Sequence, residues 1–175
     1  MHETIIMRST RVIMSLMLVV LLGATQLGTV QAVNVHSLAH GSFGQVLTVS
    51  QSKNLPAKGS WVTVTGNGYD ERVGIYVTMC VRPAKGQLPT PCGGGINKKG
   101  SSAASVWVSS NAPNYSTGLA KPFGIGGKFK VRLFLGPHIG NRDCRKIQCV
   151  IATRADHLQT SNRTADVFIP VTFSK

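Results

Sequence analysis

Along the second half of the chain, apolar and polar side chains alternate one by one. In "KFKVRLFL", residues 128–135, Phe129, Val131, Leu133 and Leu135 fall on one side, and Lys128, Lys130 and Arg132 on the other. A period of two over eight residues predicts a half-buried antiparallel strand. Comparable runs occur in "QVLTVS" (45–50), "SWVTVTG" (60–66), "GIYVTMCV" (74–81), "SAASVWVSS" (102–110), "CVIATR" (149–154) and "DVFIPVTF" (166–173). Between them lie "LPAKG", "GNGYDE", "PCGGG", "APNYSTG", "GPHIGN" and "SNRT", segments rich in the residues that turns require. Seven short strands with this punctuation predict an all-β, seven-stranded immunoglobulin-like β-sandwich.

One segment breaks the pattern. An apolar run from Val12 to Gly23 follows Arg8 and Arg11, and Val30-Gln31-Ala32 places small residues where a signal peptidase reads. Residues 1–32 are therefore expected to be a secretory signal peptide, the alternative being an uncleaved N-terminal anchor. Residues 33–44 then form an N-terminal extension, and 45–175 the sandwich domain. No later apolar run approaches membrane length, so the mature protein should be released or held non-covalently at the cell surface.

Export changes the reading of the four cysteines. In an oxidising compartment they should form two disulfides, and three connectivities are open. Local pairing, Cys80 with Cys92 and Cys144 with Cys149, is the simplest. A redox pair normally has two residues between its cysteines, whereas "RKIQ" puts four between Cys144 and Cys149 and leads into a strand. Structural zinc is disfavoured by the eleven residues between Cys80 and Cys92.

Charge adds a further constraint. Without residues 1–32 the chain loses Arg8, Arg11 and Glu3, and 17 Lys and Arg face 5 Asp and Glu, a net +12. Such a balance bears on partners rather than fold. The partner stays open between two readings, an ordinary solvated surface and contact with anionic cell-envelope components. Nucleic acid is not expected as the native partner, because Trp61, Trp107 and Tyr115 do not interleave with the basic residues as a stacking platform would.

Catalysis finds little support. Asp143, Asp156, His157 and Ser161 are the materials of a hydrolase triad, but no nucleophile elbow accompanies them, and neighbours on a strand point apart. Five acidic residues leave little for paired-carboxylate chemistry. His36, His40, His138 and His157 lack the spacing of metal or haem ligands. No cofactor and no metal are expected. "ADHLQTSNRT" is expected to link the last two strands as a hairpin loop, with Asp156 and Asn162 bonding backbone groups.

Three stretches carry a family resemblance: "KGSWVTVTGNGYDERVGIYVTMC", "CVRPAKGQLPTPC" and "DCRKIQCVIATRADHLQTSNRTADVFIPVTF". Together they resemble the neocarzinostatin family of secreted actinobacterial proteins, from Gln45 to Phe173. The resemblance implies an immunoglobulin-like sandwich with the same two local disulfides, and an actinobacterial source. Members of that family include apoproteins of enediyne antibiotics, which hold an aromatic chromophore in a cleft on one sheet. Carried over, the cleft face would comprise Thr78, the Cys80–Cys92 bridge, Arg82, Val150, Ala152 and Arg154, with Val77, Met79 and Ile151 turned into the core. This sequence departs from the pattern in two ways. Arg82 stands where chromophore binders have an aromatic, and the chain is basic where those apoproteins are acidic. The ending "TRADH…DVFIPVTF" also resembles surface proteins of mycolic-acid-bearing actinobacteria. The expectation is a secreted or cell-envelope binding protein, non-catalytic, with Arg82 and Arg154 offered to an anionic small molecule in the cleft. The alternative is a small-molecule carrier or an antibiotic apoprotein, including a DNA-targeting antimicrobial like the enediyne chromoproteins.

Overall fold

The structure, a computed structural model, describes residues 36–95, 97 and 99–175. The expected signal segment, its processing site after Ala32 and Lys98 lie outside the described residues. Eleven strands are present among the described residues: β1 (Ser37–His40), β2 (Val46–Val49), β3 (Ser60–Asn67), β4 (Ile75–Val81), β5 (Ser105–Val108), β6 (Ala120–Lys121), β7 (Phe129–Leu135), β8 (His138–Ile139), β9 (Arg142–Asp143), β10 (Cys149–Ala155) and β11 (Val167–Val171). They form a four-stranded sheet in the order β1-β2-β3-β7, a five-stranded sheet in the order β11-β10-β4-β5-β6, and a small β8–β9 hairpin. The architecture is an all-β, immunoglobulin-like sandwich.

Each of the seven alternating runs contains one strand: β2, β3, β4, β5, β7, β10 and β11. The remaining four are short and less visible in the sequence. β1 lies inside the segment expected as an extension, and pairs with β2 from Ser37 opposite Val49 to His40 opposite Val46. Its four residues contain only Ala39 packed against the core, while Leu38 is exposed. Pairing to an available sheet edge, rather than its own periodicity, makes it a strand.

The alternation sends Leu47, Val49, Val62, Val64, Val131, Leu133 and Leu135 of the first sheet inward. Ile75, Val77, Met79, Ile151, Val167, Ile169 and Val171 of the second sheet meet them. Packing is close enough that one strand position admits no side chain. Gly66 pairs with Phe129 across β3 and β7, and a Cβ there would collide with the Phe129 ring. One buried polar pair crosses this core: the Tyr69 hydroxyl donates to Thr153 Oγ1 at 3.0 Å, which donates in turn to the Ala165 carbonyl at 2.7 Å. Every buried donor in that chain has an acceptor, and burial pushes the Tyr69 phenol far up.

Both disulfides are local, Cys80–Cys92 and Cys144–Cys149, and no cysteine among the described residues is free. Cys149 is the first residue of β10, and the loop before it is fixed by Arg145 N–H to Asp143 Oδ1 (3.0 Å) and Cys144 N–H to the Pro137 carbonyl (2.8 Å). The Arg145 side chain also grips Asp143, whose carboxyl is lowered to about 2 by those hydrogen bonds. The bridge thus sits where a staple would, at the entry to the strand.

Candidate functional site

The outward face of the five-stranded sheet carries Tyr76, Thr78 and Cys80 from β4 and Val150, Ala152 and Arg154 from β10. The register places Val150 opposite Cys80, Ala152 opposite Thr78 and Arg154 opposite Tyr76. A sheet face turned away from the core is ordinarily wet. Here it is not, for Thr78, Cys80, Val150 and Ala152 are each at most 1% exposed.

The cover is the chain's own disulfide loop. After β4, Pro83, Pro89 and Pro91 and the bridge to Cys92 return the backbone alongside the strand, where Val81 N–H donates to the Pro91 carbonyl (3.0 Å) and Gly93 N–H to that of Met79 (2.8 Å). Thr78 Oγ1 lies 2.8 Å from the Gly93 carbonyl and 3.0 Å from that of Ala104. Cys80, Val150 and Ala152 form a small apolar cluster of their own, against which Cys92 and Phe168 pack. Arg154 closes this arrangement by donating from Nη1 to the Pro89 carbonyl at 3.0 Å. Its guanidinium carbon stands 5.7 Å from the centre of the Tyr76 ring. Burial, then the charge of Arg163, lowers the Arg154 pKa, and its Nε has no protein partner.

Arg82 occupies a different place. It follows β4 opposite Gln148, whose carbonyl accepts its N–H at 2.9 Å, so about six residues, or ~20 Å of strand, separate it from the Arg154 position. The two arginines share a face without converging on one point. Arg82 instead borders two open grooves. One, of about 640 Å³, also includes Pro91, Arg142 and Ile147. The other, of about 730 Å³, runs between the β1–β2 turn, the disulfide loop and the approach to β11.

The larger groove combines a cationic rim with aromatic walls. Arg82, Lys85 and Arg163 line it, together with His40, Phe43 and Phe168. Phe43 is 66% exposed. Phe168 connects the groove to the covered cluster, since it pairs with Ala152 across β10 and β11. Asp166 is the carboxylate in the lining. Its Oδ2 accepts from Arg163 Nη1 at 3.0 Å, while Oδ1 is buried without a partner. Burial raises the Asp166 pKa to about 6, against the opposing pull of Arg163 and Arg154. The groove thus sets two aromatic side chains, Phe43 and Phe168, among charged and polar residues.

Of the sequence-predicted residues, only Arg82 lines this groove. Phe43, Lys85, Arg163 and Asp166 come from turns and loops, and His40 from the end of β1, whose approach no periodicity reports. Phe168 was within reach: Val167, Ile169 and Val171 alternate inward, which turns Phe168 out beside Ala152.

A second cluster explains the polar residues of the β10–β11 connection. Trp107 Nε1 donates to Asp156 Oδ2 at 2.9 Å, and Leu158 N–H to Asp156 Oδ1 at 2.9 Å. His157 Nδ1 lies 2.6 Å from the Tyr76 hydroxyl, and its Nε2 lies 2.8 Å from that of Tyr115. Asp156 and His157 therefore serve different partners, and both imidazole nitrogens are held by tyrosines rather than by a serine. Asn162 Oδ1 accepts from Thr164 N–H at 2.9 Å. Among the described residues, no group of three or more His, Cys, Asp or Glu is placed to hold a metal ion.

No family model matches this chain. No curated protein matches it either. Among solved structures, macromomycin is similar, with a TM-score of 0.47 and 16% identity, covering 75% of this chain and all of that one.

Proposed function

We propose that this protein is an exported, non-catalytic binding module that carries an amphipathic anion in the groove between the β1–β2 turn, the disulfide loop and β11. One observation carries the reading: Arg82, Lys85 and Arg163 line the same groove as Phe43 and Phe168. A guanidinium can fork onto a carboxylate while aromatic faces accept an apolar or planar body. Thr78, Val150 and Ala152 act from beneath, as the packed layer that supports Phe168 and the disulfide loop. Arg154 holds that loop through the Pro89 carbonyl. Export is supported by the two disulfides and by the apolar segment before residue 33.

Titration calorimetry with a long-chain fatty acid and with its methyl ester tests the reading. The acid should bind more tightly than the ester, and Arg82→Ala with Lys85→Ala should weaken the acid by about tenfold or more, a loss of ~1.4 kcal/mol. Equal affinity of the double variant for the acid, or equal affinity of the wild type for acid and ester, would remove the groove as an anion site.

A further inference from the structure

On the opposite side of β5, a short hairpin runs from Gly124 to Lys128. Its two ends are joined by paired hydrogen bonds, Gly124 N–H to the Lys128 carbonyl at 2.7 Å and Lys128 N–H to that of Gly124 at 3.1 Å. Three residues, Ile125, Gly126 and Gly127, make the tip. The tip is rigidly held: Gly68 N–H donates to the Gly126 carbonyl at 3.0 Å, and Gly127 N–H to Glu71 Oε1 at 2.9 Å. At Gly127 the backbone is left-handed, with φ +64°, and a Cβ would collide with the Tyr69 carbonyl oxygen, so only glycine fits.

This frame presents Ile125 with 94% of its surface exposed. A single exposed aliphatic residue is ordinary. One held at a hydrogen-bonded turn tip next to a lysine-lined depression is not. Beside it lies a depression of about 380 Å³, floored by Val108, Phe129 and Val131 and rimmed by Lys121, Lys128 and Lys130. Among the described residues, no carboxylate lies within 4.0 Å of any of these three ammonium groups. Glu71 accepts the Gly127 N–H. Arg132 continues the row beyond Lys128 and Lys130 on the outward side of β7.

The geometry points to a peripheral docking surface for an anionic lipid bilayer, with Ile125 entering the interface and Lys121, Lys128 and Lys130 contacting headgroup phosphates. The chemistry favours a bilayer over a soluble polyanion, because a polyanion gains nothing from Ile125. Lysine stems can lie along the apolar floor while their ammonium groups meet the phosphates. Binding of this kind is reversible and salt-sensitive, since one side chain and three charges fall short of a permanent anchor. It is separate from the groove at the β1–β11 edge of the sandwich, and would hold a released protein near the membrane.

Co-sedimentation with phosphatidylglycerol-containing vesicles and with phosphatidylcholine vesicles tests it. The wild type should bind the anionic vesicles alone and lose binding as salt is raised. Ile125→Asp, at a site with no packing to lose, should weaken partitioning by about tenfold or more. Lys121→Gln with Lys128→Gln and Lys130→Gln should do the same and flatten the salt dependence. A control triple variant, Lys53→Gln with Lys58→Gln and Arg142→Gln, removes equal charge elsewhere and should retain most binding. Equal loss in the control would show that net charge alone is responsible and overturn the proposal. So would wild-type binding by Ile125→Asp, or release of the protein from vesicles by inorganic phosphate at matched ionic strength.

Discussion

Replacing Asp166 by asparagine preserves the shape of a groove-lining side chain while removing its charge. In the native protein this side chain is 10% exposed, with one oxygen on Arg163 and the other without a partner. Burial outweighs the arginines, and the carboxyl rises from 3.8 to about 6. A folded pKa above the unfolded value means that the fold favours the protonated form. The corresponding stability is fully present below about pH 4 and is lost as pH rises through 6. A shift of about two units corresponds to roughly 3 kcal/mol, of which ~2 kcal/mol falls between about pH 4 and pH 7.5. The substituted amide does not titrate, so the pH dependence of every other group cancels in the difference between the two proteins. Urea unfolding of both, followed by tryptophan fluorescence at those two pH values, should show Asp166→Asn gaining ~2 kcal/mol relative to wild type as pH rises. A stability difference that is constant with pH, or that moves toward the wild type, would refute the account of Asp166 as a carboxyl dominated by burial.

The same titration bears on the groove: protonating Asp166 leaves Arg163 without its counter-charge, so an anionic amphiphile whose own charge persists, such as an alkyl sulfate, should bind more tightly at pH 5 than at pH 7.5 in calorimetry, and the preference should be smaller in Asp166→Asn, where only the histidine of the lining can still change charge. Cys144→Ser with Cys149→Ser should lower stability by roughly 2 kcal/mol, the closure entropy of a short loop, with an unchanged far-ultraviolet spectrum. Asp156→Asn should cost about 1–3 kcal/mol in urea melts, because one amide oxygen must replace two acceptors that serve Trp107 Nε1 and the Leu158 N–H, and the new amide hydrogens face those donors. Wild-type stability in that variant would show that the buried carboxylate is not required.

The sandwich was legible because its information is local. Alternation at Phe129, Val131, Leu133 and Leu135 assigns one face to the core whatever else the chain does, since a slip of one residue would bury Lys130 and Arg132. Glycine, proline and asparagine mark the turns for equally local reasons, and cysteines five positions apart need no distant partner to close a bridge. The outer sheet face shows the limit of such reading. Alternation correctly turns Thr78, Val150 and Ala152 away from the core, but it carries no information about what then covers them. The disulfide loop folds back across that face, Arg154 bonds the Pro89 carbonyl, and a surface that the sequence marks as available becomes a second buried layer. The groove moves outward to Phe168, where His40, Phe43, Lys85 and Arg163 arrive from segments far apart in the chain. Periodicity along the sequence by itself determined seven of the strands and which way their side chains point, while β1, β6, β8 and β9 depended on pairing. Which loops close over those strands, and where charges from separate turns meet, depended on packing between distant segments, and only the tertiary structure decided it.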